Sequence, residues 1–133
     1  MSEIWLDTFH GIIPRCDYAA HLSAGEASGL SIKLESNSAE VTISFGFVHA
    51  FQMLDEGVLL QCADSEQFAA IRLQNFPSTI YEIENGSFAG FLEAQMGDSL
   101  FHDLHCRQYS IVTLNYVISV VASWPPEITV HLL

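Results

Sequence analysis

Basic residues are scarce in this chain. Arg15, Lys33, Arg72 and Arg107 are its whole complement of Lys and Arg, against 16 Asp and Glu, so 133 residues carry a formal charge of −12. A phosphate backbone is held by clustered cations, and these four stand far apart in sequence, which argues against direct nucleic-acid binding. A basic macromolecule is the natural charged partner. Cysteine is also sparse: Cys16, Cys62 and Cys106 are an odd number without C-x-x-C spacing, which excludes a disulfide framework and a zinc ribbon and leaves buried free thiols as the expectation. Long apolar runs are missing. The stretches 45–51 and 116–124 are broken by His or Ser and fall well short of the about 20 residues that span a membrane. The first residues, Met1-Ser2-Glu3-Ile4-Trp5-Leu6-Asp7, lack a basic segment followed by an apolar one, so the expected location is the cytoplasm.

What is present is apolar. Half the residues are hydrophobic and 15% are charged, a composition that builds a core and not a disordered chain. There are no repeats, linkers or low-complexity tracts, and residues 1–133 are expected to form a single domain.

Periodicity places the elements. Residues 4–9 suggest a short strand, and the alanines of 17–27 permit a short helix. From Leu30 the period becomes two: Leu30, Ile32 and Leu34 alternate with polar residues, and Ser36-Asn37-Ser38 turns the chain. A long strand over 40–53 follows, with Val41, Ile43, Phe45, Phe47, His49, Phe51 and Met53 on one face and Gly46 as a bulge or bend. His49 on that face is expected to be hydrogen-bonded and mostly buried. Leu54-Asp55-Glu56-Gly57 reads as a tight reversal into a strand over 58–62. A loop or helical turn at 63–69 leads to a strand at 70–73, and Thr79 to Glu84 alternates as another. Asn85, Gly86 and Ser87 offer caps to one clear helix with Phe88, Phe91, Leu92 and Met96 on its stripe and Gly97 at its end. A loop at 98–103 precedes two strands, 108–114 and 117–122, joined by Asn115-Tyr116 as an antiparallel hairpin apolar on both faces. After Pro125-Pro126, residues 128–132 form a last strand. The fold class expected is α+β: about eight mainly antiparallel strands with one clear helix packed on them. Trp5 and Trp124, near the chain ends, are expected to pack in the core or at its rim.

Two constellations carry possible chemistry. The first is acidic. Asp55 and Glu56 at one turn, Asp64 and Glu66 at the next connection, and Glu82 and Glu84 on one strand face before the helix form a candidate surface for a basic protein partner. The alternative is a small metal-binding protein or metal-dependent enzyme with a site built from His102, His105 and Cys106, completed by a residue such as His10, Cys16 or His131. No nucleophile elbow, glycine-rich phosphate loop or H-E-x-x-H helix is present, so no catalytic residue is assigned, no enzyme activity is expected and no cofactor is implied.

Three stretches together resemble a known group. They are Val41-Thr42-Ile43-Ser44-Phe45 running to Leu54-Asp55-Glu56-Gly57; Tyr81-Glu82-Ile83-Glu84-Asn85-Gly86-Ser87 opening the Phe88/Phe91/Leu92 helix; and Gln108-Tyr109-Ser110-Ile111-Val112-Thr113-Leu114-Asn115 followed by Val117-Ile118-Ser119-Val120-Val121-Ala122-Ser123. These segments resemble those of small bacterial immunity proteins of contact-dependent growth inhibition and other polymorphic toxin systems. Gln108 stands where the corresponding hairpin has His, and Tyr116 and Ser119 where it has Asp. The resemblance covers roughly residues 30–123 and implies a cytoplasmic protein that binds and neutralises one toxin domain, such as a basic nuclease, without catalysis of its own.

Overall fold

A computed structural model describes residues 3–61 and 66–133. In chain order its elements are β1 (Ile4–Leu6), β2 (Ala19–Gly25), β3 (Gly29–Glu35), β4 (Ala39–Gly46), β5 (Ala50–Asp55), α1 (Glu56–Leu60), α2 (Glu66–Leu73), β6 (Ile80–Glu84), α3 (Ser87–Met96), α4 (Asp98–Asp103), β7 (Arg107–Val112), β8 (Tyr116–Ala122) and β9 (Glu127–Leu132). The α+β class expected from sequence is therefore observed, with nine strands and four helices among the described residues.

The strands form two antiparallel sheets, ordered β1-β6-β7-β8-β5 and β2-β3-β4-β9. Between them lies the main core. Leu30, Ile32 and Leu34 of β3 and Val41, Ile43 and Phe45 of β4 meet Ile80, Tyr109, Ile111, Ile118 and Val120 of the larger sheet. On the opposite face of that larger sheet, Phe68 and Ile71 of α2 pack with Trp5, Tyr81, Ile83, Val112 and Val117. Ala89 of α3 and Phe101 of α4 cover Val121 nearby. The larger sheet is thus the middle of three layers, which is why β7 and β8 are apolar on both faces. The smaller sheet has one wet face, and β3 and β4 alternate accordingly.

Several local expectations are corrected. The long strand over 40–53 is two strands in two sheets. Leu30 pairs with Gly46 but Ser31 pairs with Ser44, a bulge that breaks the ladder, and Gly46 takes φ +66° to redirect the chain. Its supposed common face splits: Val41, Ile43 and Phe45 are buried, whereas Phe47, Phe51 and Met53 are exposed. Residues 17–27 form no helix; β2 pairs along its whole length with β3, and ladder formation overrides the helix preference of its alanines. The segment after Asp55 is α1 and not a strand, because the Asp55 carboxylate accepts hydrogen bonds from the amides of Gly57 and Val58 and caps the first turn. The strand expected at 70–73 belongs to α2, whose Phe68 and Ile71 are buried at helical spacing. Residues 98–103 form α4, which restarts directly after Gly97 (φ +92°) ends α3. In the β7–β8 hairpin the Thr113 amide donates to the Tyr116 carbonyl, so the turn residues are Leu114-Asn115, one position earlier than expected.

Trp5 is in the core, tilted against Phe68 (5.3 Å) and Tyr81 (5.5 Å), whereas Trp124 is exposed. Near Trp5, the Ser78 amide donates to the Tyr81 hydroxyl, but the buried Ser78 hydroxyl has no partner among the described residues. An unmatched buried hydroxyl costs free energy, so Ser78→Ala should leave stability unchanged or raise it by up to about 1 kcal/mol. Chemical denaturation checks this. A loss above that size would mean the hydroxyl holds a buried water.

Candidate functional site

At the joint between the sheet and helices α3 and α4, the fold leaves a groove of about 610 Å³. It lies where β6 ends and β7 begins. The turn into α3 requires Asn85 at φ +56°, a conformation Asn tolerates better than most residues. Gly86 follows, and a Cβ there would sit 2.0 Å from Gln108 Oε1.

Tertiary contacts, not local ones, cap α3. Gly86 offers no side-chain cap. The buried Glu3, beside β1, accepts the Ser87 amide (2.9 Å) and hydroxyl (3.2 Å) and also the Trp5 indole N–H (3.2 Å). Gln108 Oε1 on β7 accepts the Ala89 amide at 3.0 Å. Two of the helix's unpaired first-turn amides are thus satisfied, one by a carboxylate favourably placed at a helix N-terminus. The buried side of α3 is also rotated from expectation, with Ala89 buried and Phe91 exposed while Phe88, Leu92 and Met96 pack partly.

The groove is acidic. Glu82, Glu84 and Glu93 line it, and Arg107 is the one Lys or Arg among its lining residues. Arg107 is already engaged, with Nη1 3.5 Å from Glu82 Oε2. Phe101, Ala89 and Ile83 supply apolar lining, and Gly90 leaves open space where a Cβ would stand. Just beyond, Glu93 faces Asp98 across the Gly97 junction. Their shared hydrogen bond pushes the Glu93 carboxyl up from its ordinary value and holds that of Asp98 down. His102 Nε2 lies 3.1 Å from Asp98 Oδ1, one turn along α4.

The six acidic residues singled out from the sequence do not share one surface. Glu82 and Glu84 line the groove. Glu82 is level with Phe51 through Tyr109 and Val120, which puts Asp55 three strands across and four residues further along, about 14 Å by 13 Å away. There Asp55 caps α1, and Glu56 makes an ion pair with Arg72 of α2. Glu66 is exposed in the first turn of α2, and Asp64 lies outside the described residues. Sequence reasoning missed Glu93 as a lining residue of the same groove as Glu82 and Glu84, and Asp98 as the neighbour of Glu93. Their i,i+5 spacing across a glycine does not by itself say that the helix restarts there.

The alternative ligand set is also redistributed. His102 is grouped with Glu93 and Asp98, their ligand atoms all within 4.8 Å of one another, and not with His105 and Cys106. His105 sits in a left-handed turn (φ +53°), and Cys106 packs against the α3–α4 cluster, where burial pushes its thiol up. His10 pairs instead with Asp7 at 2.9 Å, and His131 stands opposite Glu40 on the outer sheet. Cys16 is half-buried, with Sγ 3.2 Å from the Ser38 hydroxyl, and hydrogen bonds from Ser38 and Ser36 lower its thiol pKa. Cys62 lies outside the described residues. His49 is half-buried and hydrogen-bonded, with Nε2 2.8 Å from the Ser123 hydroxyl.

Fold and site together define a small three-layer α+β protein with an acidic groove at one end of its central sheet. No family model, curated protein or solved structure matches the chain. Among the described residues, no helix is long and apolar enough to cross a membrane.

Proposed function

We propose that this chain is an acidic binding protein that captures a basic protein partner, and that the partner is a toxin domain the chain neutralises as a cytoplasmic immunity protein. The observation that carries this reading is the groove, whose lining residues include Glu82, Glu84 and Glu93 against a single basic residue, Arg107, which is already paired with Glu82. A Lys or Arg side chain approaching it would meet acidic lining residues, with apolar lining from Phe101 for its methylene stem. The surrounding formal charge of −12 steers such a partner from a distance. The toxin assignment rests on the resemblance of the three sequence stretches described above. No catalytic step, nucleic acid or cofactor enters this reading.

The test is calorimetric and kinetic titration against the C-terminal domain of a large secreted protein encoded beside this one. Nanomolar binding that weakens as salt rises is expected. Replacing Glu84→Lys and Glu93→Lys together, leaving the Glu82–Arg107 pair intact, should slow association and weaken binding about tenfold or more, a loss of about 1.4 kcal/mol. Tight binding unaffected by both salt and these substitutions would place the partner elsewhere. No binding at any salt would remove that partner.

A further inference from the structure

Among the described residues the sheets have four edge strands, and one of these is left unguarded. β1 is three residues long, β2 presents no large exposed apolar side chain, and β9 follows Pro125-Pro126 and, of its large apolar side chains, exposes only the last, Leu132. β5, sequence Ala50-Phe51-Gln52-Met53-Leu54-Asp55, carries no Lys, Pro or Gly, and Phe51 and Met53 at its centre are 41% and 42% exposed. Edge strands of soluble proteins are ordinarily blunted by charge, proline or bulges, because an open apolar edge pairs with another strand.

From these features we infer that β5 pairs with β5 of a second copy of this chain, antiparallel about a two-fold axis at Gln52, joining two five-stranded sheets into one of ten strands. The hydrogen-bonding phase allows it. The Glu56 amide donates to the Asn115 carbonyl in the turn before β8, in register with the β5–β8 ladder. By strand alternation, Gln52 and Leu54 turn their backbone groups inward and Phe51, Met53 and Asp55 turn theirs out. An axis through Gln52 sets Phe51 opposite Met53 of the second copy, with both residues' outward-turned amides and carbonyls facing each other. The same register is self-complementary in side chains. Phe51 meets Met53, small Ala50 meets large Leu54, and Gln52 meets Gln52. Sulfur against an aromatic ring is a favourable cross-strand pair. A register shifted by two residues loses the two symmetric Phe51–Met53 matches.

This inference goes beyond the proposed function and is electrostatically opposite to it. Two copies each carrying −12 repel, so this association strengthens with salt, whereas capture of a basic partner weakens. Sedimentation equilibrium of the full chain over a concentration series reaching about 1 mM should show mass rising from 14.7 kDa toward twice that value, more readily at high salt. Gln52→Cys provides the register test, since a non-hydrogen-bonded antiparallel pair brings Cα atoms to about 4.5 Å, within disulfide reach. Mild oxidation should cross-link Q52C into a dimer, while the native chain, which retains Cys16, Cys62 and Cys106, should not cross-link. Met53→Lys, folded by circular dichroism, should stay monomeric. A monomeric mass throughout the series at high salt would overturn the inference. So would a dimer in which Q52C cross-links no better than the native chain, because its interface would then lie elsewhere.

Discussion

Tyr109→Ala is expected to cost about 3–5 kcal/mol, the range for truncating a large buried aromatic, and to lower the melting temperature by roughly 10–20 °C. Tyr109 is 1% exposed on the central strand β7. Its ring contacts Phe45 of the opposite sheet at 5.6 Å and Phe9, from the segment before β2, at 6.1 Å. Removing it opens a void where the two sheets and the N-terminal segment meet, and Phe9 and Phe45 lose an aromatic partner. Denaturant unfolding monitored by circular dichroism measures the loss. A cost below about 1 kcal/mol would mean that this junction collapses freely, contrary to a closely packed core.

Gly29→Ala should be nearly as damaging, at about 3 kcal/mol, though it adds only one methyl group. Gly29 has φ +75°, and an added Cβ would lie 2.1 Å from the Gly46 carbonyl oxygen and 2.2 Å from its carbon. Both obstacles are backbone, so no side chain can swing aside. Gly46→Ala is the internal control: its φ is +66°, yet nothing lies within 4 Å of the added carbon, so only the left-handed backbone penalty of about 1–2 kcal/mol applies. Equal losses from the two substitutions would show that conformation, and not the close approach of β3 to the β4 bulge, sets the requirement at Gly29.

The proposed groove depends on the same kind of close approach. Gly86 leaves room for Gln108 to cap α3, and α3 then contributes Glu93 to the lining that also includes Glu82 and Glu84. Gln108 stands where the resembling hairpin has His, and here its carbonyl oxygen has a structural task.

Wherever one face of an element is buried and the other wet, the sequence alone determined the outcome. The two-residue period of 30–34 and the first part of 40–53 marked β3 and β4, the doubly apolar runs marked β7 and β8 as central strands, and the stretch before Asn85 marked β6. The acidic balance and the absence of a membrane-length apolar run were equally plain. Short segments were not legible, because five to eight residues carry too little periodicity to separate a helix turn from a strand. Only the Asp55 cap and the packing of Phe68 and Ile71 made α1 and α2 helical, and only pairing with β3 made the alanines of β2 extended. The candidate site was half visible for the same reason. Glu82 and Glu84 share a strand face by simple alternation. Glu93 lines the same groove and meets Asp98 where the helix stops and restarts at Gly97, and the capping carboxylate of Glu3 arrives from 84 residues away. Contacts of that kind leave no local pattern, since they depend on which surfaces the layers bring together and not on what any one segment prefers.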